Sequence, residues 1–285
     1  MKQENCMIEK KLQDEIIEKN RNFTKGYRDD APAYEEDFES DQQLQKPQPP
    51  LVKAAMRGEG DRVKLPFDFD KLDIKNDTVA LFRDRHSSRV YTGESMSLLQ
   101  LSFLLWATQG IKDIRGKSYA TLRTVASGGA RHPFETYLII SNVEGLAPGR
   151  YHYLPMEHAV EFLGAVDNEN AVAESLCFQN WALKANVIFY WSMVAYRAEW
   201  RYGIFAHRTA LMDAGHVGEN LYLAAEAAGL GCCGIAAFHH ESCCRLFELD
   251  GNEEYIVYTM PVGTISEKDK AKEKAFYKFV EDEGL

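Results

Sequence analysis

Residues 201–238 read RYGIFAHRTALMDAGHVGENLYLAAEAAGLGCCGIAAF, and the fold is decided by how this stretch is divided. From His207 to Ala228 the sequence predicts one long helix, stopped by Gly229. At about 1.5 Å per residue it would be roughly 33 Å long. Small residues recur along it: Ala210, Ala214, Gly215, Gly218, Ala224, Ala225, Ala227 and Ala228. They would let another helix approach closely, or they reflect helix propensity alone. From Gly229 to Phe238 the chain passes from helix to a short strand, and amides exposed there could donate to a flat heterocycle. Read by itself, Gly229 is a helix C-cap and the rest a crossing. It is no dinucleotide fingerprint, because no strand precedes it and no helix N-terminus is placed to hold a pyrophosphate.

Outward from this segment lie short apolar runs with strand character: Tyr137–Ile140, Val187–Trp191 and Tyr255–Tyr258. Upstream, Ser97 and Gln100 have capping-box spacing, and Leu98–Gln109 follows as a helix apolar nearly all round, ended by Gly110. Such a helix belongs deep in a core. The mixed order of elements predicts an α+β domain. Residues 1–60 read as an N-terminal extension, partly irregular, and 61–285 as the globular domain. Asp29 to Pro50 holds seven acidic residues, four prolines and one lysine, the composition of a loop or wrapping arm.

Composition narrows the function. A net charge of −10 over 285 residues argues against general nucleic-acid binding. No run of apolar residues is long enough to span a membrane, and the N-terminus lacks a signal-peptide core. The cysteines at 232, 233, 243 and 244 form two adjacent pairs, spaced unlike a zinc site or a disulfide framework. They fit small buried residues in a reducing cytoplasm, and no metal is expected.

Three further segments carry donors. Arg85-His86-Ser87-Ser88-Arg89 sets two guanidinium forks beside hydroxyls, a set suited to a phosphate monoester. Ala126-Ser127-Gly128-Gly129-Ala130 is a run of small residues through which main-chain amides could approach a ligand. Arg201-Tyr202 places a phenol beside a fixed charge, where it could give or take a proton. Each alone is equally a surface run, a turn or a packed aromatic.

Taken in order, RHSSRVY (85–91), SLLQLSFLLWATQGI (97–111), ASGGARHPFETYLIISNVEGLAPGRYHY (126–153), the stretch 201–238 and YTMPVG (258–263) resemble the nitroreductase superfamily of flavoproteins, in its SagB-type dehydrogenase branch. The resemblance runs from about Leu81 to Gly263. It implies a nitroreductase-like fold, with a central mixed or antiparallel sheet flanked by helices, and an intertwined homodimer with FMN at the interface. Arg85, Ser87 and Arg89 match the motif that holds the FMN phosphate and ribityl chain, with His86 inside it. Ser127, Gly128 and Ala130 match the loop that the second subunit lays on the flavin. Gly234, Ala236 and Ala237 match the backbone near the flavin N5 edge, and the long helix matches the principal dimer helix. Where azoline oxidases of this branch carry a Lys-Tyr pair, this chain has Arg201-Tyr202, and arginine cannot serve as a base. Many nitroreductases have asparagine where this chain has Ala130.

The resulting expectation is an FMN-dependent oxidoreductase passing hydride from NADH or NADPH through the flavin to a small nitroaromatic or quinone acceptor, with Tyr202 as proton donor. The alternatives are oxidation of thiazoline or oxazoline rings in a modified peptide, and a flavin-binding protein without turnover.

Overall fold

The computed structural model describes residues 2–25, 38–166 and 168–266, with isolated positions from 268 to 284. Among the described residues nine strands occur, in the order β1 (Arg62–Lys64), β2 (Ile111–Arg115), β3 (Ala120–Arg123), β4 (Phe134–Ile140), β5 (Gly149–Leu154), β6 (Ala159–Gly164), β7 (Val187–Val194), β8 (Leu230–Cys232) and β9 (Glu254–Thr264). Seven form one antiparallel sheet, ordered β1-β6-β5-β4-β7-β9-β8, while β2 and β3 make a separate hairpin. The helices are α1 (Lys2–Thr24), α2 (Thr78–Asp84), α3 (Leu98–Gln109), α4 (Glu169–Ser175), α5 (Ala195–Tyr202), α6 (Ala206–Ala227) and α7 (His240–Phe247). The α+β expectation and all three strand positions hold.

The sheet is covered on both faces. Along β7, Val187, Phe189, Trp191 and Met193 enter the core shared with α3 and α6, and Ile188 and Tyr190 enter the opposite core with α4 and α7. A strand buried on both sides reads as an unbroken apolar run, which is why its sequence shows no alternation. Helix α3 carries the expected capping box and exposes none of its residues. Its neighbour α6 is the long helix, within one residue of the predicted bounds, and Gly229 ends it at φ +70°.

The small residues of α6 serve this chain's own core. Ala210, Ala214, Gly218, Ala224 and Ala225 are buried. The close-approaching helix is α3, held where Asn220 Nδ2 donates to the Ala107 carbonyl at 2.8 Å. A Cβ at Gly218 would lie 2.5 Å from the Tyr258 ring. Of the two glycines within the helix, Gly215 faces outward, beside the exposed Leu211 and Met212. The hydrophobic face is what a helix turns inward, and Gly218 belongs to it.

The extension begins with α1, a 23-residue helix that the sequence reading did not place. Of the acidic arm, residues 29–37 lie outside the described residues. The part from 50 to 57 is strapped to the sheet. Glu135 accepts from the Lys53 amide, and Glu161 from those of Met56 and Arg57. Between these two carboxylates sits His152, bonded to both and fully buried. Burial pushes its pKa down, but the two hydrogen-bonded glutamates outweigh it and raise it. Strands β5 and β6 escaped the sequence reading for this reason: their polar residues face inward and satisfy one another. Among the described residues no helix is long and apolar enough to cross a membrane.

Candidate functional site

The basic motif leaves the end of α2 and runs beside β8. The Ser88 amide donates to the Cys232 carbonyl at 2.8 Å, and Ser87 forms a parallel bridge to Cys232. Gly231 makes this approach possible, since a Cβ there would lie 2.6 Å from that of Ser88. Cys232 and Cys243 are buried thiols, and burial pushes Cys243 up to about 12.

Tyr222 of α6 organises this corner, and the sequence reading did not single it out. Its hydroxyl lies 3.1 Å from Ser87 Oγ and accepts from the Gly234 amide at 2.7 Å. Its ring backs the Arg85 guanidinium at 5.1 Å. The carboxylate next in sequence, Asp84, is engaged by Arg83 at 2.8 Å and Lys75 at 2.6 Å, which hold its pKa well below the carboxylate range. Among the described residues no carboxylate forms an ion pair with Arg85. A guanidinium held by a ring face keeps its in-plane donors directed outward. His86 is engaged within the motif, between the Asp84 carbonyl at 2.9 Å and Ser88 Oγ at 3.2 Å. Arg89 lies 5.9 Å over Trp181, which packs on the core of the other sheet face. Beyond Gly234 the backbone emerges, with Ile235 bonded to Thr259 and Ala236 and Ala237 exposed.

The Ser127 loop is fixed elsewhere on α6, by Asp213. That buried carboxylate accepts from Ser127 Oγ at 2.6 Å and from the Gly128 amide at 3.0 Å. Burial raises the Asp213 pKa, and these bonds offset part of the rise. The Ala130 amide donates back to the Ser127 carbonyl, and Ala130 itself sits at φ +53°. The side-chain or amide donors of all three predicted loop residues are therefore used inside the chain.

Arg201 and Tyr202 pack against this loop. Gly129 sits at φ +54°, and a Cβ there would lie 2.5 Å from Arg201 Nε and 2.6 Å from the Tyr202 hydroxyl. The phenol that Arg201 engages is Tyr119, whose oxygen accepts from Arg201 Nη1 at 2.9 Å and from Gln42 at 3.0 Å. Arg131 lies 5.0 Å over the Tyr119 ring. The hydrogen bond from Gln42 is the largest influence lowering the Tyr119 pKa, and Arg201 adds to it. The expected pairing of Arg201 with Tyr202 is thus a stack at 5.7 Å, while the charge-assisted bond goes to Tyr119. Tyr119 sits in the β2–β3 turn, more than 80 residues from Arg201 in sequence, and no local pattern marks it.

The structure therefore forms two groups. One holds Arg85, Ser87 and Gly234 around Tyr222, and the other holds Ser127, Gly128, Ala130, Arg201 and Tyr202 near Asp213. Nine residues of helix separate Asp213 from Tyr222, about 2.5 turns and 13 Å, so the two project from opposite sides of α6.

Residues 82–264 match the Nitroreductase family, more than half of the chain. A Methanocaldococcus jannaschii protein named "Putative nitroreductase" is 30% identical over 206 residues, 72% of this chain and 98% of that protein. The chain belongs to the nitroreductase family, and so to a class of oxidoreductases. Solved structures share its fold. One from Ralstonia eutropha, also named a putative nitroreductase, is 22% identical, with TM-score 0.60 over 77% of this chain and 99% of the other. An Escherichia coli microcin synthetase chain, from a complex with truncated pro-MccB17, is 19% identical, with TM-score 0.55 over 85% of each chain.

Proposed function

We propose that this chain is an FMN-dependent oxidoreductase that passes reducing equivalents from NADH or NADPH to a small nitroaromatic or quinone acceptor. The observation that carries the reading is Tyr222. It joins the basic motif to the Gly234 segment, two stretches more than 140 residues apart that the resemblance assigns to one flavin. The residues fit that group. Arg85 presents donors that no described carboxylate consumes, Ser87 stands beside it, and Ala236 and Ala237 expose backbone further along the same edge. Arg85, Ser87 and Arg89 would hold the phosphate and ribityl chain around His86, and Gly234, Ala236 and Ala237 would border the ring. Bound there, FMN supplies two-electron redox chemistry.

The reading includes a homodimer, in which a second copy brings its Ser127, Gly128 and Ala130 loop to the flavin. That loop lies about 13 Å along α6 from Tyr222 and on the helix's other side. The Ser127 hydroxyl and the Gly128 and Ala130 amides are already engaged within the chain, so these groups contribute a surface held in place. The exposed Leu211, Met212 and Gly215 form the α6 face for such pairing. The reading places the protein in a reducing cytoplasm. Heterocycle oxidation in a peptide is less well served, because Arg201 is a permanent cation already bonded to Tyr119.

The test is to purify the protein, denature it and chromatograph the released flavin. FMN supports the reading. FAD, or no flavin after reconstitution, removes it.

A further inference from the structure

Beyond Ala236 and Ala237 the same backbone reaches Phe238, and there an open cleft of about 650 Å³ begins. Its walls include Glu199 of α5, His207 and Leu211 of α6, Phe238, and Tyr255 and Val257 of β9. None of the site residues read from the sequence lines it.

Four side chains form a continuous hydrogen-bonded series at this cleft. Tyr255 Oη lies 3.5 Å from Met193 Sδ and 3.0 Å from His207 Nδ1, and His207 Nε2 lies 2.9 Å from Glu199 Oε1. The series is satisfied with the imidazole in either charge state. When neutral, His207 donates from Nε2 to Glu199 and accepts from the Tyr255 hydroxyl at Nδ1. When protonated, it donates from both nitrogens, and the Tyr255 hydroxyl turns to the methionine sulfur. A proton can arrive or leave without stranding a donor, which is the requirement for a relay. Met193 is buried, whereas Glu199 and His207 are each exposed by about a third or more, so the series runs from the core to the cleft.

We propose that this cleft binds a neutral aromatic acceptor of the quinone class and that Glu199 and His207 deliver the proton its reduction consumes. The inference rests on the flavin reading above and deepens it. Phe238, Leu211 and Val257 supply apolar walls for a flat ring. Glu199 and Glu253 line the same cleft and disfavour anionic acceptors. The electron pair and one hydrogen come from NADH or NADPH by way of the flavin, as a hydride equivalent. The remaining proton comes from the His207 imidazolium by way of Glu199: the Nε2–H bond breaks as a carboxyl O–H bond forms, and that O–H bond breaks in turn as a quinone O–H bond forms. A proton from bulk solvent at the cleft mouth restores the imidazolium. The other titratable groups facing this pair are Tyr255 and Glu253 from β9 and its approach, and His240 from α7.

The test compares two oxidants of the reduced, flavin-loaded protein in stopped flow. Menadione needs a proton, and ferricyanide takes electrons alone. Glu199→Gln should lower the ratio of menadione to ferricyanide rates by about 10²-fold and flatten its pH profile. His207→Asn should lower the ratio in the same direction. A ratio unchanged in both variants, or both oxidants slowed equally, overturns the relay. Separately, menadione added to flavin-free full-length protein should shift the His207 imidazole resonances, and an unmoved His207 overturns the binding site. That titration is decided whether or not FMN proves to be the cofactor, so a failure of the flavin reading is told apart from a failure of this one.

Discussion

The two sides of α6 hold polar segments in opposite ways. At Asp213 a buried carboxylate gathers the Ser127 hydroxyl and the Gly128 amide, and both donors are consumed. At Tyr222 a phenol ties Ser87 to Gly234, but the arginine beside it is held by a ring face. The first arrangement fixes a loop, and the second fixes a backbone while leaving a cation able to bind. The contrast separates donors spent inside the chain from a guanidinium whose donors no described carboxylate takes up, although the sequence presents both as short polar motifs.

The strongest way to break this comparison is Asp213→Ala. It leaves the Ser127 hydroxyl and the Gly128 amide without their acceptor in a buried place, and should cost about 3 kcal/mol of stability. Urea denaturation measures it. A loss no larger than that of an ordinary surface substitution would show that the loop is held by other contacts.

The Tyr222 side should behave differently. Arg85→Ala should weaken FMN binding by about ten- to a hundredfold, the worth of one charge-assisted hydrogen bond, with little change in urea midpoint. Tyr222→Phe keeps the ring behind Arg85 and removes the bridge, so it should cost only several-fold, about 1 kcal/mol. The double variant reports their coupling. Calorimetric titration of FMN into each protein provides the numbers, and Arg85→Ala with unchanged affinity would place the phosphate elsewhere.

The smallest effect is in pH. Burial raises the Asp213 pKa in the fold, so its contribution to stability is greatest below the unfolded carboxylate value, about 4, and is lost as pH rises through the raised folded value. Asp213→Asn does not titrate. The stability difference between wild type and this variant should therefore be most favourable to wild type near pH 4 and shrink toward neutrality. Urea midpoints measured across that range should show the slope, and a flat difference would mean that Asp213 is solvated like a surface carboxylate.

Features set by local physics were legible in the sequence. The α3 capping box, the glycine after α6 and the three apolar strands follow from caps, propensity and runs of buried side chains. So does the family, because its motifs keep their order along the chain. The extension was legible only as composition: its acidic and proline-rich part reads as an arm, while α1 has no cap signal strong enough to mark it. Strands β5 and β6 were concealed because His152 and Glu161 occupy inward positions, and their compatibility with burial depends on partners in other strands.

What the sequence by itself determined is the α+β class, the helices α3 and α6, the strands β4, β7 and β9, the oxidoreductase family and the residue types available for a site. Only the tertiary structure decided which of those residues are engaged and by what. Periodicity gives α6 an apolar face but does not say that Gly218 turns inward to Tyr258 while Gly215 turns outward. It does not select Asp213 and Tyr222 from the other polar residues of the helix, nor Tyr119 as the phenol that Arg201 binds. The reason is the same in each case. A hydrogen bond or a ring contact depends on two positions brought within a few ångströms by chain that lies between them, and that distance is a property of the packed molecule.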